Sequence, residues 1–108
     1  MAPEQTIRIV RSQDLTLVFS MAPPQEVTGW SMRFQVRDSI GGTIRITKTV
    51  GSGITISDAG RGVCQVALAK ADTQALDAQD YVWELRRYDA GNEISLARGQ
   101  LILEQEIA

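Results

Sequence analysis

The sequence predicts an all-β domain: an antiparallel Ig-like β-sandwich of seven or eight strands with one short helical connector. Apolar and polar residues alternate through most of the chain, which is the period of a strand with one buried face. Turn residues recur roughly every eight to twelve positions, as in a sandwich. No stretch keeps a helical period for as long as the roughly ten residues of an ordinary helix. The 108 residues read as one domain spanning 1–108, long enough to build a core without disulfides or metals.

Taken in order, Thr6-Ile7-Arg8-Ile9-Val10 and Leu15-Thr16-Leu17-Val18-Phe19 read as the first two strands, separated by the turn residues Ser12-Gln13-Asp14. Ala22-Pro23-Pro24-Gln25-Glu26 reads as a loop crossing between two sheets, because proline cannot donate to a ladder. The clearest strand is Trp30 to Arg37. Trp30, Met32, Phe34 and Val36 fall on one face, and Ser31, Arg33, Gln35 and Arg37 on the other. Asp38-Ser39-Ile40-Gly41-Gly42 turns into Thr43 to Val50, a β-branched strand in which Lys48 at an inward position suggests a protected edge. Gly51-Ser52-Gly53 leads to Ile54 to Ser57, and Asp58 to Gly62 leads to Val63 to Ala69.

Lys70 to Asp77 alone breaks the period. With Ala71, Ala75 and Leu76, and with Asp72 able to cap it, this segment predicts one or two helical turns. Tyr81 to Arg86 alternates again, Asp89-Ala90-Gly91-Asn92 is a hairpin-type turn, and the last strand runs from Ile94 to about Leu103. Gly99 inside it marks a bulge or a close backbone approach. Tyr81 opens its strand just after the helical connector. Ig-like sandwiches place there a tyrosine whose hydroxyl bonds back to the preceding corner.

Composition narrows the chemistry. Apolar residues make up 44% and charged residues 22%, as in an ordinary globular protein. No apolar run approaches the roughly 20 residues of a membrane span, and Met1 to Thr6 lacks the apolar stretch of a secretory signal. The net charge of −2 argues against nucleic acid as a partner. There is no histidine, the commonest general base and metal ligand. Cys64, the only cysteine, sits in the strand pattern Val63-Cys64-Gln65-Val66 and reads as a buried small hydrophobe.

The thirteen acids mostly fall in turns or at chain ends, where capping of backbone amides is the expected role. The glycine clusters lack the lysine and spacing of a phosphate loop, and Asp58 has no neighbours from which to build a calcium loop. No catalytic, metal or cofactor site is expected. Trp30, Phe34, Tyr81 and Trp83 fall on core-facing stripes rather than forming an exposed stacking platform. Nine of the eleven basic residues are arginine, which suits protein interfaces or reflects a genome-wide arginine preference.

The order of pieces resembles a known family. Gly29-Trp30, Gly53-Ile54-Thr55-Ile56, Ala71-Asp72-Thr73 with Leu76, Tyr81-Val82-Trp83-Glu84-Leu85 and Gly99-Gln100-Leu101 are similar to the small β-sandwich domain at the N-terminus of phage baseplate upper proteins and in short phage tail-associated proteins. The likeness runs from about Ile7 to Leu103. It implies a virion structural protein, a tail or baseplate adaptor that docks other virion proteins or its own copies, found in the virion or in the bacterial cytoplasm during assembly. No coiled coil or receptor-binding head follows the sandwich in this sequence, which favours an adaptor over direct host recognition.

The expected contact surfaces are the polar face bearing Arg33, Arg37, Glu84 and Arg86, and the edge strand around Arg45 and Lys48. The plainer alternative is a solvated face of cross-strand ion pairs, worth little in stability. A carbohydrate-binding module, which needs an exposed aromatic platform, is the rival from another class. A small hydrolase, which needs converging carboxylates in a cleft, is the third.

Overall fold

A computed structural model describes residues 5–21 and 25–106. The Ala22-Pro23-Pro24 part of the expected crossing loop and the first four residues lie outside them. The strands are β1 (Ile7–Val10), β2 (Leu15–Ser20), β3 (Met32–Arg37), β4 (Ile44–Val50), β5 (Gly53–Asp58), β6 (Val63–Leu68), β7 (Asp80–Arg87) and β8 (Ile94–Glu104). The only helix among the described residues is α1 (Lys70–Gln74). The all-β prediction holds.

The arrangement departs from the expected one in two respects. All eight strands belong to one sheet, in the order β1-β8-β7-β3-β4-β5-β6-β2, and that sheet is mixed rather than antiparallel. Strand β1 runs parallel to β8, and β4 parallel to β5. The glycines explain the second pair. Gly51 and Gly53 both have positive φ (86° and 103°), a conformation that L side chains rarely adopt. They swing the chain out of a hairpin, so β5 leaves in the direction of β4 and the two share only the pairs Thr49–Gly53 and Val50–Ile54.

This sheet is strongly curled, forming a half-barrel. Phe19 on the terminal strand β2 lies 5.3 Å from Trp83 on β7 and 6.2 Å from Phe34 on β3, centroid to centroid. In a flat sheet five strand spacings would separate β2 from β7 by about 24 Å. The β4–β5 junction is the thinnest place in the sheet, and across it one half faces the other. The enclosed core contains Met32, Phe34, Val36, Ile54, Cys64, Val66, Trp83, Leu85 and Leu101, each at most 2% exposed.

Strand β3 begins two residues later than the alternation suggests. Gly29 (φ 76°) and the Trp30 amide, which donates to Val27 O at 3.2 Å, make a turn there. Trp30 is therefore only half-buried, with the Arg87 guanidinium 4.0 Å above its ring. Lys48 takes the inward position opposite Phe34, as its parity requires, and its ammonium reaches Asp72 at 2.8 Å.

Helix α1 is too short to stand alone, and it is pinned from outside. The Asp72 carboxylate accepts from the Ala69 amide (2.6 Å), and Asp14, far away in sequence, accepts from the Lys70 amide (2.7 Å). Thr73, rather than the alanines, is the buried residue, and its Oγ1 accepts from the Ser12 amide at 2.9 Å.

The expected tyrosine corner is present. The Tyr81 hydroxyl donates to Asp77 O at 2.8 Å, and burial, with Asp77 nearby, raises its pKa above the ordinary tyrosine value. Tyr81→Phe removes one buried hydrogen bond and should cost about 1 kcal/mol, lowering Tm by about 4–8 °C in a thermal melt. An unchanged Tm would deny the corner any structural role.

Candidate functional site

On β3 and β7 the side chains opposite the core face solvent on the outside of the curl. The register places Arg33 across from Arg86, Gln35 from Glu84, and Arg37 from Val82. Strand β8 extends two of these rungs, with Arg98 beside Glu84 and Gln100 beside Val82. Together they line a shallow trough of about 460 Å³, closed at one end by Ile40 and Gly41 of the β3–β4 turn.

Four guanidinium groups and one carboxylate line this trough, in a protein whose overall charge is −2. Arg33 lies over the Tyr88 ring at 5.1 Å. Arg37 donates to Gly42 O at 2.9 Å and to Gln35 Oε1 at 3.4 Å. The Arg86 guanidinium stands 3.9 Å from Glu84 Oε2, a loose pair in water. Arg33 and Arg86 directly oppose each other across the ladder. Like charges in that position cost stability, on the order of 0.2–1 kcal/mol. With Glu84 the single carboxylate among four guanidinium groups, the trough keeps an excess of positive charge suited to bind carboxylates from another molecule.

Four of the six residues singled out from the sequence, Arg33, Arg37, Glu84 and Arg86, therefore share one surface. The other two do not join them. Arg45 is held by Asp38 in a bidentate pair, both bonds 2.8 Å, which keeps the Asp38 carboxyl below its ordinary range. Lys48 points to the other side of the sheet toward Asp72. The strand expected to be an edge and a second contact surface, β4, instead lies inside the sheet between β3 and β5, and both of its cations are already engaged. Parity alone did not reveal Arg98 and Gln100, because their place depends on a β7–β8 register that contains a bulge between Leu85 and Arg86.

The acids in turns act on the backbone as expected in several cases. Asp89 accepts from the Ser31 amide at 3.0 Å, and Arg87 and that amide hold its carboxyl below the usual range. Asp58 accepts from the Arg61 amide at 3.3 Å. Among the described residues no three His, Cys, Asp or Glu side chains come together as a metal cluster. No described helix is long and apolar enough to cross a membrane.

Cys64 is fully buried, and burial pushes its thiol up to about 11 from an ordinary 9.0. Because the thiolate is the reactive form, a disulfide reagent at pH 8 should leave Cys64 unmodified in the native protein and react at once in denaturant. Fast native labelling would contradict the burial. The raised pKa has a second consequence. The protonated thiol's contribution to stability is fully present below pH 9.0 and is lost as pH rises through about 11.

No known protein-family model matches the chain, and a search of curated proteins gives no significant match.

Proposed function

We propose that this chain is a docking domain: a rigid scaffold that binds a partner protein through the outer face of β3, β7 and β8. The observation that carries this reading is the opposed Arg33–Arg86 pair at one end of the trough on the outer sheet face. A face serving only as a solvated surface gains nothing from such a pair, whereas a binding face gains two donors for an anionic partner.

The curled sheet is best read as an Ig-like sandwich whose two layers meet at the β4–β5 junction. Three features support this: the tyrosine corner, the aromatic contacts between β2 and the β3–β7 pair, and the strand order. The proposed setting, a phage tail or baseplate particle with other virion proteins as partners, rests on the sequence resemblance. Nothing in the trough requires a cofactor.

The carbohydrate-binding alternative needs an exposed ring. Trp83 is 2% exposed, Trp30 carries Arg87 on its face, and Tyr88 lies beneath Arg33. The aromatic side chains therefore favour docking. Light scattering of the protein, alone and mixed with the products of neighbouring genes, tests the reading. The expected result is a defined complex that a paired Arg33→Glu and Arg86→Glu variant fails to form. A strict monomer that joins none of them, or a complex indifferent to these charges, would overturn it.

A further inference from the structure

Given the docking reading, the layout of charges in the trough limits what can occupy it. We infer that the occupant is an extended acidic peptide segment with carboxylates four residues apart, a neutral polar residue midway between them, and an apolar residue beyond one end.

The spacing follows from the strand. Arg33 and Arg37 are four residues apart on β3, which at about 3.3 Å per residue sets their stems about 13 Å apart. A ligand in extended conformation presents same-side side chains at the same interval, so its residues i and i+4 fall over the two ends of the trough. Arg86 doubles the positive charge at one end, opposite Arg33, and Gln100 sits near the other.

The middle rung is different. There Gln35 faces Glu84, the only carboxylate in the trough, with Arg98 beyond it. An acid at i+2 would meet Glu84, while an amide or hydroxyl would meet the Gln35 side chain. Past Arg37, Ile40 is 89% exposed on the β3–β4 turn and borders the trough. An apolar ligand residue beyond that end would cover it. The backbone ladders of β3 are filled on both sides by β4 and β7. The segment therefore binds through side chains and not by strand addition.

Polyanions fit less well. A phosphate or sulfate on every unit would place charge against Glu84, the surrounding protein is net acidic, and no open ring lies in the trough for a base to stack on.

The probe is a dye-labelled seven-residue peptide with glutamate at its first and fifth positions, glutamine at its third, serine between them and a terminal leucine. Fluorescence anisotropy at low salt should show saturable binding. Binding should weaken at least tenfold with Arg33→Glu, at least tenfold when glutamate replaces the central glutamine, and severalfold when salt rises to physiological strength. Arg86→Gln should weaken it severalfold while leaving Tm unchanged or raised, which separates binding from folding. Three results would overturn the inference: no binding, equal binding by an all-glutamine peptide, or tighter binding of a heparin oligosaccharide or oligothymidylate at the same arginines. If the peptide fails while the charge-reversed pair still abolishes the complex with neighbouring gene products, docking stands and only the ligand class falls. If neither changes, both fall.

Discussion

Trp83→Ala should leave the domain close to unfolding at room temperature. The indole is 2% exposed, lies 5.8 Å from the Phe34 ring and 5.3 Å from that of Phe19, and so joins the two facing halves of the sheet. Its Nε1–H donates to two carbonyls, Gln5 O at 3.0 Å and Gln100 O at 3.1 Å. Truncation removes a large buried area and opens a cavity, together costing about 3–5 kcal/mol. A domain of this size has roughly 5–15 kcal/mol in total. Chemical denaturation should show the midpoint falling sharply with little change in slope. Trp83→Phe should cost much less, since it keeps most of the apolar surface. If the alanine variant melts within a few degrees of the parent, the two halves are not held together there.

Gly99→Ala is expected to be nearly as harmful, although alanine usually improves a strand. A Cβ at this position would strike the Gln5 backbone, which crosses directly over Gly99 on the inner side of the sheet. The Gln5 segment can yield only by giving up two hydrogen bonds, its own amide to Arg98 O and its carbonyl from Trp83. Adding about 1 kcal/mol for each bond to a packing strain of about 1–2 kcal/mol gives a loss of about 3–4 kcal/mol. Hydrogen exchange would locate the damage. The amides of β1 should lose protection while those of β3 keep theirs. Full protection of β1 with an unchanged melt would mean that Gly99 is not needed for the approach.

Most strands were legible because burial of one face imposes a period of two. Strand β3 follows it without a break, with Met32, Phe34 and Val36 inside and Arg33, Gln35 and Arg37 outside, and β7 follows it as far as Leu85. Where periodicity stops, the sequence is silent. Val27 is fully buried, yet it lies in a loop and is anchored by its amide to Ala59 O at 2.8 Å. No local spacing marks it. Trp30 matches the strand parity but falls in a turn, because Gly29 beside it adopts a conformation that alternation does not encode.

The pairing of strands was less legible than the strands themselves. Gly51-Ser52-Gly53 has the composition of a hairpin turn, and only the geometry of its glycines shows that the chain crosses instead. The candidate site divides in the same way. Arg33 and Arg37 share a face by parity on one strand, as do Glu84 and Arg86 on another. That these strands are neighbours, and that β8 adds Arg98, depends on register. Arg45 was separated from the group by Asp38, a partner that no spacing rule would have selected, whereas Lys48 was separated by its own parity, which puts it on the inner side with Asp72.

The parallel pairing of β1 with β8 has a mechanical consequence. Ile7 lies beside Leu101 and Val10 beside Glu104, so the chain comes in at one end of this ladder and goes out at the other. Tension applied between the two ends would run along the strand axes and load every rung of the ladder together, in shear. Strands peeled apart sideways lose their rungs in succession, but these would have to break in concert. A domain threaded in this way resists stretching more strongly than its small size suggests.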